Sequence, residues 1–369
     1  MRPLVLMWEN FGPMHLDRLA AVTAHFEVRR VVGLELFGQS EVYRWEAEAT
    51  ACERITLLSA PVYGAWARMR LLGGLIVAAR RIGRGDYVLC HPERPEVFLF
   101  ALWLRLTGSR VLAMGCSKFD DRPRRAGREL AKRVFFLPYR GMLASSTRSR
   151  DYARFLGFAT DRVAGGYNSL SIARVRRDAG APPAPEGEVF TQRGFLTVAR
   201  LVPKKNLGMV LQAYAIYRAR VEDPRPLTIC GDGPEEAGLR HLAEELGIAG
   251  DLRWCGFLQR EGVAQELGRA LALLLPSREE QFGNVVIEAQ AMGLPVILSH
   301  VCGAADELVR DGVNGFTVSP DSAEGLAFFM ELLHRDEALW RCMAQAAAER
   351  AEAGDVARFC EGLDQLLTV

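Results

Sequence analysis

PSREEQFGNVVIEAQAMGLPVILS, residues 276–299, reads as one half of a βαβ unit and the strand that completes it. The apolar run 270–275 is the first strand, Glu288 opens a helical stretch that closes at Gly293-Leu294-Pro295, and 296–298 is the second strand. In such a unit the loop after a parallel strand presents backbone N–H groups and the positive end of a helix dipole, which together favour an anion. Gly283 lets a phosphate approach the backbone closely. Glu280 and Glu288 stand eight positions apart on either side of this turn, so they cannot share a helical face. They flank the helix N-terminus instead, where each can accept hydrogen bonds from hydroxyls. The chemistry this suits is holding a nucleotide diphosphate sugar.

Working outward, short apolar runs at 4–7, 28–33, 87–90, 111–113, 196–199, 227–230, 271–275 and 296–298 alternate with amphipathic stretches. That alternation predicts parallel sheets covered by helices on both faces. At 369 residues the chain is long enough for two such domains, each with its own core. The segment 178–188, DAGAPPAPEGE, is the expected linker. The reading therefore places one Rossmann-like domain in 1–180 and a nucleotide-sugar-binding one in 189–350. The last stretch, 351–369, reads as an amphipathic helix. Two doubly wound domains facing each other leave a central cleft, where ligands of such sheets bind.

Composition is that of an ordinary globular chain, 49% hydrophobic and 25% charged. The net charge of +1 conceals an asymmetry. Residues 1–184 carry 29 Lys+Arg against 17 Asp+Glu, and the remainder 17 against 28. A basic first half suits acidic lipid headgroups or a phosphorylated acceptor, or simply solvated arginine-rich faces. Eight cysteines without CxxC or zinc-type spacing point to reduced, buried thiols and exclude a disulfide scaffold. Apolar stretches such as 97–104 are too short to span a bilayer. A cytoplasmic protein is expected, with peripheral contact at the inner face of the membrane as the extension that the basic half suggests.

Three further motifs precede the opening one. FLTVARLVPKKN, 195–206, is a strand ending in Arg200, with Lys204 and Lys205 at the mouth of the next helix; a guanidinium fork and a lysine point charge suit a diphosphate. Cys230-Gly231-Asp232-Gly233-Pro234-Glu235 is a strand followed by a Gly-rich turn. Trp254-Cys255-Gly256-Phe257-Leu258 is a strand end whose backbone can pair with a base edge, or plain core. Two carboxylates also occur in glycoside hydrolases, but those need neither a phosphate-type loop between the pair nor an upstream Arg…Lys-Lys.

In this order and spacing, Val198–Asn206, Gly231–Glu235, Glu280-x7-Glu288 and Gly312-Val313-Asn314-Gly315-Phe316 resemble the C-terminal domain of the retaining glycosyltransferases of family 4, which have the α/β GT-B fold. The resemblance covers 190–335 and implies a bacterial-type enzyme of polysaccharide biosynthesis. By it, Arg200 and Lys205 bind the donor's diphosphate and Glu280 the transferred sugar. The Gly283, Asn284 and Val285 backbone takes the distal phosphate, and Glu288 the ribose. Gly231, Gly233, Phe257, Leu258 and Phe282 complete the donor site. It also implies that the first domain binds the acceptor and that the helix in 351–369 crosses back to it, with no divalent metal, no cofactor beyond the donor, a glycan or lipid-linked acceptor as partner and no nucleic acid.

In the first half, Gly12 follows the first strand where the family places a Gly-rich loop facing the donor phosphate, which makes it a donor-binding candidate, and only one of the usual two glycines is present. His91, at a strand end, is the expected donor of a hydrogen bond to a sugar hydroxyl or phosphate, or a loop histidine with a local partner; His15 reads as structural. Asp120 and Asp121 are acceptor-binding candidates, with capping of the following helix the favoured reading. The basic run from Arg122 through Arg133, beside Val134-Phe135-Phe136, suits an anionic membrane or a solvated helix. The alternatives to transfer are a UDP-sugar epimerase of the same fold and a non-catalytic nucleotide-sugar-binding protein.

Overall fold

The computed structural model describes residues 1–40, 45, 51–61, 63–121 and 123–368. The chain divides into two compact units, Met1–Ser171 with Val356–Val369, and Ile172–Asp355. The division falls ahead of the Pro-Ala-rich segment, because residues 172–179 form a helix that packs within the second unit.

In the first unit the strands are β1 (Leu4–Trp8), β2 (Val31–Phe37), β3 (Glu53–Leu58), β4 (Asp86–Leu89), β5 (Arg110–Gly115), β6 (Met142–Ala144) and β7 (Val163–Ala164). The helices are α1 (Pro13–His25), α2 (Ala65–Ile82), α3 (Pro95–Leu106), α4 (Ala126–Phe136) and α5 (Thr147–Phe155). The strands pair in parallel in the order β3-β2-β1-β4-β5-β6-β7. Burial on both faces is why β1, LVLMW, is apolar throughout. Helices α2 to α5 cover one face, with Leu75, Phe100, Phe136 and Tyr152 in the shared core.

The second unit runs α6 (Ile172–Ala179), β8 (Gly194–Val198), α7 (Leu207–Arg218), β9 (Leu227–Cys230), α8 (Glu236–Glu245), β10 (Leu252–Gly256), α9 (Arg260–Arg269), β11 (Ala270–Leu275), α10 (Val285–Ala291), β12 (Val296–Ser299), α11 (Gly303–Leu308), β13 (Gly315–Val318), α12 (Ala323–Arg335) and α13 (Glu337–Arg350). Its strands are also all parallel, in the order β10-β9-β8-β11-β12-β13. The last helix, α14 (Ala357–Thr368), belongs to the first unit. There Phe359, Leu363 and Leu366 pack against Leu4, Leu6 and Val88, covering the face that α2 to α5 leave open.

Four local expectations shift. The strand read at 28–33 is β2, Val31–Phe37, because residues 26–29 still belong to the turn that closes α1. Helix α10 begins at Val285, three residues before Glu288, which lies in its first turn. Neither Asp120 nor Asp121 caps α4: its N-cap is Arg125, and Asp121 instead accepts from the Arg124 guanidinium at 2.5 Å. The basic run divides: Arg124 and Lys132 point inward onto Glu129 at 2.9 and 3.1 Å, while Arg128 and Arg133 stay exposed. Arg122 lies outside the described residues. All eight cysteines are free thiols, and among the described residues no helix is long and apolar enough to cross a membrane.

Candidate donor site at the edge of the second sheet

In the second sheet the strand order reverses between β8 and β11, since the chain builds outward from β8 to β10 and then returns to start again at β11. Loops leaving the carboxyl ends of strands on both sides of such a reversal diverge, and ligands of doubly wound sheets bind there. The loop after β8 carries Arg200 and Lys205; the loop after β11 carries Glu280 and Gly283. The Lys205 ammonium and the Glu280 carboxylate form an ion pair between these loops, their side chains 15% and 14% exposed.

The pair is held by a frame that the sequence motifs leave implicit. Lys205 ends a single 3-10 turn, and Asn206 follows at φ 61°, a left-handed conformation that asparagine tolerates. The buried Asn206 amide donates to Pro276 O at 3.0 Å and Pro320 O at 2.7 Å, and its oxygen accepts from Arg278 Nε at 3.1 Å. Arg278 N donates to Lys204 O at 2.8 Å. Asn206 and Arg278 thus tie the two loops together; the polar residue just before an apolar helix was the signal for Asn206.

The Gly-rich turn after β9 is strapped to the Arg200 loop by Leu201 N donating to Asp232 O at 2.8 Å and Glu235 N to Leu201 O at 3.1 Å. Gly231 at φ 139° and Gly233 at φ 156° allow this approach: a Cβ on either would stand 1.9 Å from Ala199 O or 2.4 Å from Leu201 O. Gly231 N also donates to Gly256 O at 2.7 Å, which places half-buried Phe257 and Leu258 beside the same edge. Arg200 is half-buried.

Gly283 turns at φ 101°, and a Cβ there would lie 3.5 Å from Glu280 Cγ, so the carboxylate stem lies against the turn. Asn284 and Val285 open α10, with Glu288 half-buried in its first turn. With only seven residues in α10, the donors on offer are the individual N–H groups of that turn rather than a long-helix dipole. Phe282 points inward at 3% exposure, and its carbonyl accepts from Ala304 N at 2.9 Å. It anchors the loop and presents no side-chain surface.

The first sheet has its own reversal, between β1 and β4, and Gly12 and His91 sit in the loops that leave those strands. His91 has φ 56°, with Nε2 3.9 Å from Glu9 Oε2. Its pKa is raised above the ordinary 6.5, first by the thiolate form of Cys90 and further by Glu9; with 43% of the side chain exposed, water screens part of that attraction. Asp120 pairs with the buried Lys118 at 3.1 Å and with Arg148 at 2.6 Å. Asp121 accepts from Lys118 N at 3.3 Å. These bonds engage both carboxylates in the loop after β5.

His15 proves to be a capping residue. Its Nδ1 accepts from Gly12 N at 3.0 Å, and burial first, then Arg18 and His91, hold its pKa well below 6.5. The sign follows: the folded state disfavours the imidazolium, so this contribution is complete above pH 6.5 and is lost as pH falls towards the depressed folded value. From pH 7.5 to 5.5 the protein is expected to lose on the order of 1 kcal/mol more stability than His15→Gln, whose amide oxygen can accept the same N–H without titrating. Denaturant unfolding at the two pH values measures this, and equal losses would remove His15 as the cause.

With this geometry in view, residues 184–350 match the family model described as glycosyl transferases group 1. An exopolysaccharide phosphotransferase of Streptomyces coelicolor is 35% identical over 189 residues, covering 49% of this chain and 19% of the relative. A D-inositol 3-phosphate glycosyltransferase of Streptomyces griseus is 34% identical over 166 residues, 43% of this chain and 35% of the relative. The chain therefore spans well under half the length of these curated relatives. Among solved structures, Anabaena HepE in complex with UDP and glucose superposes with a TM-score of 0.72 over 100% of both chains at 16% identity. The fold is GT-B. Within the GT-B frame, Arg200, Lys205, Gly231, Gly233, Phe257, Leu258, Glu280, Phe282 and Gly283 lie in the loops at the carboxyl edge of the second sheet and Asn284, Val285 and Glu288 at the start of α10, whereas Gly12 lies in the first unit. The relatives named for transfer do not favour the epimerase reading.

Proposed function

We propose that the chain is a retaining glycosyltransferase that moves a sugar from a nucleotide diphosphate sugar to a hydroxyl of a glycan or a lipid-linked acceptor at an anionic membrane. No metal ion or organic cofactor takes part. The observation that carries this reading is the Lys205–Glu280 pair across the strand-order reversal, inside the segment that matches the group 1 transferases.

Arg200 and Lys205 bind the diphosphate, and the N–H groups of Gly283, Asn284 and Val285 take its distal phosphate. In breaking the glycosidic bond the diphosphate gains negative charge, so cations and N–H donors fixed in advance bind the transition state more tightly than the ground state. Glu280, kept beside Lys205, accepts from hydroxyls of the transferred sugar, and Glu288 accepts from the ribose. His91 donates to a substrate hydroxyl or phosphate. The acceptor enters on the face that the diphosphate leaves, and the departing phosphate takes its proton.

The test is incubation with UDP-, GDP- and dTDP-sugars, with and without oligosaccharide and lipid-linked acceptors. The readouts are nucleoside diphosphate release and the anomeric proton coupling of the product. The expected result is acceptor-dependent release with the donor's anomeric configuration kept. An isomerised nucleotide sugar formed without acceptor would assign an epimerase instead, and an inverted product would remove the retaining mechanism.

A further inference from the structure

Helices α2, α3 and α4 lie side by side over one face of the first sheet: α2 packs on α3, and Phe98 of α3 meets Phe135 of α4 at 5.2 Å between ring centroids. Helix α2 buries Leu71, Leu75, Ala78 and Ile82. At 100° per residue the opposite stripe is Trp66, Met69, Gly73 and Val77, and it faces water, with Trp66 81% and Met69 65% exposed. Leu99 and Leu106, seven residues apart, continue this outward apolar surface on α3, and Leu130 and Val134 on α4 with Leu137 at its C-cap; Leu106 is 87% exposed. Large apolar side chains clustered on an outer face mark an interaction surface rather than ordinary scatter.

The exposed charges on the same three helices have one sign. Helix α2 carries Arg68, Arg70, Arg80 and Arg81 and no carboxylate, and exposed Arg105, Arg128 and Arg133 follow on α3 and α4. The only acids in these helices, Glu96 and Glu129, are each 3% exposed and are bonded to Arg94, and to Arg124 and Lys132. A nucleic acid would satisfy the arginines and stack a base on Trp66 but gain nothing from Met69, Leu99 and Leu106, and an apolar partner would leave the arginines unanswered. An anionic lipid surface answers both, with phosphates for the guanidinium groups and an acyl boundary for the apolar stripe.

We infer that the outer face of α2, α3 and α4 docks this chain on an anionic phospholipid bilayer, Trp66, Met69 and Leu106 entering the headgroup boundary while the arginines bind lipid phosphates. This gives the membrane partner of the proposed transferase its surface, and it is tested without any transfer reaction, so the two readings can fail separately.

The experiment is co-sedimentation with vesicles of phosphatidylglycerol and phosphatidylcholine in equal parts, against vesicles of phosphatidylcholine alone. The wild type is expected to bind the anionic vesicles at least about tenfold more tightly, with affinity falling as salt rises. Trp66→Ser/Met69→Ser and Arg70→Glu/Arg80→Glu alter only exposed side chains, and each is expected to weaken binding about tenfold while leaving the thermal midpoint in place. Trp66 fluorescence, isolated as the signal lost in Trp66→Phe, should be quenched by brominated lipid, a readout that needs no destabilising change. Equal binding to both vesicle types, unaltered binding by both double variants, or an unquenched Trp66 would overturn the inference. Loss with the arginine variant alone would do so too, by assigning the face to an acidic macromolecule.

Discussion

Lys205→Ala is expected to lower turnover by about 10²-fold or more, the scale on which loss of one preorganised donor to a developing charge is felt. In the free protein the Lys205 ammonium meets Glu280, and both are only 15% and 14% exposed. In the proposed reaction a bound diphosphate adds negative charge beside that ammonium, so the lysine would serve the leaving group while still holding the carboxylate proposed to accept from sugar hydroxyls. Its removal loses the cation and leaves Glu280 without this partner. The defect should therefore exceed what instability explains: kcat falls steeply while the thermal midpoint moves by a few degrees. Glu280→Ala is expected to be comparably damaging. Because the two groups act as a unit, the double variant should be far less than the product of the singles. Multiplicative losses would mean that the residues act separately.

Gly231→Ala is expected to have the largest effect on stability, roughly 2–4 kcal/mol. The residue sits at φ 139°, where an L side chain is strained, and the new Cβ would stand 1.9 Å from Ala199 O and 2.8 Å from Ala199 C. Both contacts are backbone atoms of the loop leading to Arg200, so neither can swing aside as a side-chain tip would. Relief requires the Gly-rich turn to leave the Arg200 loop and break the Leu201–Asp232 bond of 2.8 Å. For a unit of this size the midpoint should drop by on the order of 10 °C, and donor binding should weaken with it. Gly238→Ala is the control. It lies in α8 with nothing within 4 Å of the added Cβ, and it should be neutral or stabilising by a few tenths of a kcal/mol. Thermal unfolding of the two variants gives the comparison, and equal midpoints would show that the close approach of the two loops is dispensable.

What the amino-acid sequence discloses, and what it conceals, follows from how local each determinant is. Central parallel strands such as β11, ALALLL, are buried on both faces and announce themselves as unbroken apolar runs. Edge strand β3, ERITLL, begins with two exposed charged residues and beyond them is half-buried except at exposed Thr56, so it has no such run. Strands β6 and β7, of 3 and 2 residues, are too short to carry a pattern. Asp120 and Asp121 satisfy the local rule for a helix cap, yet a tertiary partner prevails: Arg124 takes Asp121, and the helix waits until Ala126. The arginine run is only partly legible for the same reason, because the side chains that turn inward do so to meet Glu129, whose burial a linear reading does not show. The apolar surface of α2 was likewise hidden, since Trp66 and Met69 look like core residues until Leu71 and Leu75 are seen to occupy the inner face.

At the candidate site, residue types and spacing pointed to Arg200, Lys205, Glu280 and Glu288 one by one. Their assembly is topological: residues 75 apart meet because the strand order reverses between β8 and β11. Asn206 closes the Val198–Asn206 motif, but its role of fastening the two loops becomes legible only through its bonds to Pro276 and Pro320.

Calorimetric titration of the intact protein with UDP, GDP and dTDP tests the central claim most directly, because the claim is a diphosphate site built from the loops after β8 and β11. At least one nucleoside diphosphate should bind without added divalent metal, with chelator present, and Lys205→Ala and Arg200→Ala should each weaken that binding at least about tenfold. Absence of binding by all three nucleotides, or binding that both substitutions leave unchanged, would contradict it.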